Sequence, residues 1–226
     1  MDKEEEKFNF LYWGPLVTKF NLEDSFCKEL LARGKKCKKD ARKLLAGILD
    51  KELEYEQEDV DWFCKKFSPY LNSHMNFLNH YHNKKFEVSL DLDRLWINFM
   101  KHGESNPLHQ HSGDISFVIF LEVPEELKNE KKKYIGTDSS GPGGLIFMNG
   151  LGKDELNVDR HAVFPEEGMC FIFPASLNHM VTPFKTKKER ISVSGNFNFI
   201  EKHKLFDDGR DESNTFLRNR PKLYES

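Results

Sequence analysis

Apolar positions recur at helical spacing early in the chain and at strand spacing after residue 86. Positions 22, 26, 27, 30 and 31 are apolar and Gly34 follows, which predicts a short amphipathic helix ended by glycine. Residues 60–82 form a longer amphipathic stretch. Trp62, Phe63, Phe67, Tyr70, Leu71, Phe77, Leu78 and Tyr81 are assigned to one side, with Pro69 as a kink or a delayed start. Residues 41–53 fit either a helix or a strand-and-loop insertion, and periodicity does not separate the two. Beyond Phe86 come short apolar runs bounded by turn residues, at 94–100, 115–123, 144–149, 161–164, 169–173, 180–184 and 190–200. About seven or eight strands at that spacing predict a closed or sandwiched β-fold. Gly141-Pro142-Gly143-Gly144 and Pro165-Glu166-Glu167-Gly168 are the strongest turn signals. Residues 201–226 are polar and read as a surface tail, with a terminal short helix as one option.

Neither an internal repeat nor a linker divides the chain, so its 226 residues are read as a single domain: helical over 1–85, β core over 86–200, tail over 201–226. Twenty phenylalanines predict an aromatic-rich core. Thirty-four basic against 37 acidic residues, a formal net charge of −3, give no long-range field for nucleic acid or an anionic membrane. Basic clusters at 33–43 and 128–133 lack interleaved stacking aromatics and read as solvated surface. Cys27, Cys37, Cys64 and Cys170 show no paired spacing, no charged-then-apolar leader opens the chain, and no apolar run reaches the ~18 residues of a membrane span. The expectation is a soluble, cytoplasmic protein whose thiols are free packing residues.

The candidate chemistry lies in Asn106-Pro107-Leu108-His109-Gln110-His111-Ser112-Gly113-Asp114, with Leu177-Asn178-His179 and Glu189-Arg190-Ile191-Ser192 further on. In extended chain, residues i and i+2 project to one side, so His109 and His111 can share a metal. Pro107 favours extension by disfavouring helix for Asn106. Imidazole suits iron, zinc, copper or nickel, and a set with open positions is catalytic rather than structural. His179, after the apolar run 171–177, is the best third ligand. His80-Tyr81-His82 repeats the spacing, but within a helical stretch where i and i+2 face apart. His74, His102, His161 and His203 have no partner pattern. Arg190 and Ser192 share one strand face while Ile191 and Val193 take the other. A guanidinium offers a planar fork for a carboxylate.

Taken together, these parts resemble the Fe(II)/2-oxoglutarate-dependent oxygenase superfamily, particularly its prolyl-hydroxylase-like and phage-type branches. The resemblance covers roughly residues 94–200 and rests on order and spacing: Gly103 six residues before His109, the histidine pair, the strand at 115–121, the Gly143-Gly144 turn, the 165–168 turn, His179, and Arg190 eleven residues later. It implies an α+β fold, a double-stranded β-helix (jelly-roll, cupin-like) core with N-terminal helices packed as a buttress. It also implies Fe(II), 2-oxoglutarate as cosubstrate and dioxygen. The residues it assigns are His109, His111 and His179 to the metal, and Arg190, Ser192, Asn106 and Asn98 to the cosubstrate, with Asn196 as a further contact. Most of the superfamily has His-x-Asp where this chain has His109-Gln110-His111, so Asp114, turned back by Ser112-Gly113, is the alternative carboxylate ligand.

The implied reaction is oxidative decarboxylation of 2-oxoglutarate coupled to hydroxylation of a small-molecule or peptidyl substrate, a prolyl or other amino-acid residue among the options. The competing reading is a cupin-like three-histidine metal enzyme or metal-binding protein that does not use 2-oxoglutarate. That reading leaves Arg190 without a task. Neither nucleic acid nor membrane is expected as a partner, and a homodimer is compatible with the sequence.

Overall fold

The structure is a computed structural model that describes residues 14–44, 46–83, 89–134, 140–150 and 159–200. The tail at 201–226 and His203 lie outside the described residues. In chain order the elements begin with β1 (Thr18–Asn21), α1 (Asp24–Gly34), β2 (Lys39–Asp40), β3 (Glu52–Glu54), α2 (Gln57–His82), β4 (Ser89–Met100) and β5 (Asn106–His109). They continue with β6 (Ile115–Glu122), α3 (Glu125–Lys131), β7 (Leu145–Met148), β8 (Arg160–Val163), β9 (Met169–Pro174), β10 (Asn178–Val181) and β11 (Arg190–Ile200).

The strands form a seven-stranded sheet in the order β1-β9-β6-β11-β4-β3-β2 and a four-stranded sheet in the order β5-β10-β7-β8. This is the double-stranded β-helix expected, with the helices on one side. The larger sheet is buried on both faces, which is why its central strands read as near-continuous apolar runs. Leu95, Ile97, Phe99, Ile119, Ile172, Ile191 and Val193 pack toward the helices. Met100, Phe120, Phe171 and Phe173 pack inward with Leu145 and Phe147 of the smaller sheet.

Helix α2 docks through Phe63, Phe67, Leu71 and His74, spaced i, i+4, i+8, i+11 along one face. The rings of Phe63, Phe67 and Phe117 form a triangle with centroids 4.8 to 5.2 Å apart, a contact worth more than its area alone. Phe77 does not join that face: it is half exposed. Pro69 lies inside the helix, twelve residues past its first residue, and does not delay its start. The Lys65 carbonyl, which Pro69 has no N–H to reach, accepts the Ser68 hydroxyl at 3.2 Å instead. His80 and His82, on the exposed last turn, take no part in a site. Residues 41–53 resolve into a 3-10 turn and the start of β3. All four cysteines are free, three of them buried.

His74 is almost fully buried, its Nδ1 2.7 Å from the Thr18 hydroxyl, and desolvation pushes its pKa down to about 4. An unfolded chain would protonate it near 6.5. Above that value the group has no effect on stability. As the pH falls from about 6.5 to about 4 the unfolded state binds a proton that the folded state refuses, so stability falls. By linkage His74 costs about 2 kcal/mol at pH 5. Urea melts at pH 7.5 and pH 5 should show a loss that His74→Leu reduces by about that amount. An equal loss in both proteins would show that the ring is protonated in the folded state.

Candidate metal centre

Strand β10 lies between β5 and β7, with His179 opposite His109 on one side and opposite Phe147 on the other. Directly opposed residues of an antiparallel pair share a face about 5 Å apart, so the register alone brings two imidazoles together. His111 lies just past β5, where the strand ends, and its backbone N–H donates to the Ala175 carbonyl at 2.9 Å. That bond ties the turn after β5 to the turn after β9 and swings the third ring inward.

Ring centroids stand 5.0 Å apart for His109 and His111, 4.2 Å for His109 and His179, and 4.9 Å for His111 and His179. One nitrogen from each lies within 4.8 Å of the others, close enough for small ring rotations to place all three on one ion, whose bonds to imidazole are about 2 Å long. The tautomers are set from outside. His109 Nδ1–H donates to the Pro107 carbonyl at 2.7 Å and His179 Nδ1–H to the Leu177 carbonyl at 2.9 Å, which leaves both Nε2 lone pairs facing inward. His111 Nε2 comes within 3.1 Å of His179 Nε2. Burial lowers the pKa of all three. That of His111 falls to about 3, helped by His179, His109 and Arg94, and that of His179 to about 4, helped by His109. Neutral imidazoles with converging lone pairs are what a divalent metal requires.

Asp114 is not part of this cluster. Its Oδ2 accepts the Phe199 backbone N–H at 2.8 Å, and its backbone N–H and carbonyl are both engaged, so the carboxylate is spent on the fold.

A cavity of about 320 Å³ opens beside the histidines and reaches Arg190, Ser192 and Asn98. Arg190 and Ser192 point into it from β11 while Ile191 and Val193 pack under the helices, as the alternation of that strand dictates. Arg190 is 3% exposed. Its Nη1 donates to the Gly143 carbonyl at 2.7 Å, its guanidinium carbon stands 5.3 Å from the Phe120 ring centre, and its Nε is buried with no partner. Among the described residues no carboxylate comes within ion-pair distance of it, and desolvation pushes its pKa down to about 10. Gly143 has φ +64°, and a Cβ there would press on Phe184 and Leu127, so glycine allows this carbonyl its position. Asn98 lies directly opposite Ser192 across β4 and β11. Asn106 holds its Nδ2 3.3 Å from His109 Nε2, and its Oδ1 is buried without a partner. Asn196, also on the lining, accepts the Ser116 hydroxyl at 2.7 Å. Among the lining residues that the sequence reading missed are Glu52, Asp93, Arg94 and Trp96.

Residues 94–196, the span that contains every metal and cosubstrate candidate named above, match the family described as "Putative 2OG-Fe(II) oxygenase". Over that span, somewhat less than half of its length, the chain is similar to the 2OG-Fe(II) oxygenases. Solved structures share the fold at low identity. An oxidoreductase of the 2OG-Fe(II) oxygenase family from Burkholderia pseudomallei aligns with a TM-score of 0.53 at 10% identity, over 80% of this chain and 84% of that one. A prolyl-4-hydroxylase from Pseudomonas putida aligns with a TM-score of 0.52 at 14% identity, over 80% and 91%. The non-heme alpha ketoglutarate dependent epimerase SnoN from nogalamycin biosynthesis gives 0.51 at 14%, over 80% and 78%. No curated protein sequence matches the chain. No described helix is long and apolar enough to cross a membrane.

Proposed function

We propose that the protein is a non-haem Fe(II) dioxygenase that couples oxidative decarboxylation of 2-oxoglutarate to hydroxylation of a substrate. The observation that carries this reading is Arg190. A buried cation costs several kcal/mol unless an anion meets it, and none among the described residues does. Its unpartnered Nε and its place in the cavity suit the far carboxylate of a keto diacid.

His109, His111 and His179 would hold the iron, and Arg190 with Ser192 the cosubstrate, Asn98 and Asn106 supplying further donors. When bound, ferrous iron would supply the site at which dioxygen, the oxidant, is activated, and 2-oxoglutarate the two electrons released as it is decarboxylated to succinate and carbon dioxide, the other two coming from the substrate C–H bond. The chain's own residues do the rest. The carbonyls of Pro107 and Leu177 fix the ligand tautomers. Three neutral ligands leave the metal charge to be balanced by the dianionic cosubstrate. Phe120, Phe173 and Leu145 line the cavity and limit water around the reacting groups. The Pseudomonas putida neighbour is named a prolyl-4-hydroxylase, which keeps a peptidyl prolyl target among the candidates.

Anaerobic addition of Fe(II) and then 2-oxoglutarate to the protein is expected to give the visible metal-to-ligand charge-transfer band of a chelated keto acid. On admitting oxygen, succinate should form in step with oxygen consumed. A protein that binds metal but gives neither band nor succinate would be a three-histidine metal protein of another kind.

A further inference from the structure

The cavity contains a carboxyl to which the metal and the cosubstrate give no task. Glu52 lies on β3, beside Asn98 of β4, and outside the span that matches the family. Leu53 packs against the helix-side core while Glu52 lines the cavity, so strand alternation turns this acid inward. It is 3% exposed, its Oε2 is fully buried, and that oxygen has no hydrogen-bond partner. Desolvation pushes the carboxyl up to about 7 against the attraction of Arg94, with Asp40 adding to the rise.

Arg94 does not satisfy it. The Arg94 Nη2 stands 4.0 Å from Glu54 Oε2 and its guanidinium lies 5.3 Å from the Trp96 ring centre, and no ion pair joins it to Glu52. A buried carboxyl with a bare oxygen is destabilising by itself, and a fold retains one most economically where a ligand completes it. The location fits a ligand close to the metal: Glu52 and Glu54 lie opposite Asn98 and Trp96, and the Trp96 ring lies 5.6 Å from that of His111. A second carboxyl reaches the same cavity through an irregularity in β4. There Arg94 pairs with Asn196 and Leu92 with Phe197, so Asp93 is the extra residue of a bulge, and it joins Arg94 on the lining. With Arg190 assigned to the cosubstrate and Arg94 turned to Glu54, the charged groups left for a substrate are acids.

We propose that Glu52 is a specificity-determining residue and that the substrate presents a cationic nitrogen, an amine or a guanidinium, to its carboxylate. This deepens the oxygenase reading and rests on it for the word substrate. The recognition itself is a property of the cavity and can be read without turnover. Glu52 would accept charge-assisted hydrogen bonds from the cation, and Asp93 would add a favourable field. The oxidised C–H bond then belongs to a molecule or side chain with a basic group near the reacting carbon.

The test uses butylguanidinium and its neutral isostere butylurea, titrated by calorimetry at pH 8 into the metal-free protein and into the protein loaded anaerobically with Fe(II) and 2-oxoglutarate. The wild type is expected to bind butylguanidinium at least tenfold more tightly than butylurea. Glu52→Gln should remove that preference while butylurea binding stays within about threefold, and Glu52→Leu should lose the cation likewise. The charge-transfer band should persist in both variants, since Glu52 touches neither metal nor cosubstrate. Equal binding of the two probes to the wild type, no binding of either, or an unchanged cation preference in Glu52→Gln would each overturn the proposal. Absence of the band in the wild type would overturn the oxygenase reading instead, and the metal-free titration would still judge Glu52.

Discussion

Arg190→Met is expected to weaken 2-oxoglutarate binding at least a hundredfold while leaving the unliganded protein as hard to melt as the wild type, or harder. Hydrogen bonds from a charged donor are worth about 1.5–3 kcal/mol each. Loss of a two-pronged contact therefore removes about 3 kcal/mol or more, which is about two decades of affinity. The stability half of the prediction comes from the same burial. Exchanging a buried charge for an apolar side chain of similar volume is often neutral or stabilising by about 1–4 kcal/mol. Against this, the Gly143 carbonyl loses its 2.7 Å partner, a cost of about 1–3 kcal/mol. The two nearly cancel. Anaerobic titration with 2-oxoglutarate in the presence of Fe(II), and thermal melts of the metal-free protein, read the two halves separately. A variant that melts much earlier but keeps its affinity would make Arg190 a structural residue. Arg190→Lys should fall between wild type and Met, because it retains the charge without the fork.

How much of this fold was legible depended on element length. The runs that became β6, β9 and β11 are 8, 6 and 11 residues long, enough for apolar content and alternation to declare them. Strands β1, β2 and β3 have 4, 2 and 3 residues, too few for any period, and they exist because the sheet offers them an edge. Helix α3 lay hidden in a charged stretch, where Leu127 is its only fully buried apolar side chain. Phe77 was placed on the buried side of α2 because it is aromatic. It lies three residues beyond His74, at the edge of the docking face and toward the C-terminal end of the helix, and stays half exposed.

The site was more legible than the fold because metal ligation constrains spacing and order. The histidine pair, the distant histidine, and the arginine with its i+2 serine converge on one cavity, as do Asn98, Asn106 and Asn196. The cross-strand pairing of His109 with His179 could not be read from the chain, since register is a long-range property. Glu52 escaped notice for a different reason. A single glutamate in an unassigned stretch carries no pattern, and only its place on the short strand β3 beside Asn98 reveals an inward carboxyl. The strand phenylalanines divide: Phe117, Phe120 and Phe173 reach the lining, while Phe147, Phe197 and Phe199 serve the packing.

His179→Ala is expected to abolish both the Fe(II)/2-oxoglutarate band and succinate formation, whereas Asp114→Asn should retain both. His179 is the most buried of the three imidazoles, 4% exposed, with the Phe173 ring edge-on at 5.0 Å and the Leu177 carbonyl fixing its tautomer. Outer-shell partners of a metal ligand are typically worth about 10–100-fold in affinity, so loss of a ligand itself should exceed that. Iron at stoichiometric concentration should then no longer load. Asp114 provides the contrast, because the chain offers it as the carboxylate that most relatives place at the His111 position. Its Oδ2 holds the Phe199 N–H, a role that an asparagine oxygen can fill, so the asparagine variant should fold and bind iron. Were Asp114→Asn to remain folded yet lose the band, the third ligand would be that carboxylate, and the three-histidine set would be wrong. Were His179→Ala to keep the band, the imidazoles would not be converging on the ion at all, and the cavity would have to be explained from Arg190 outward.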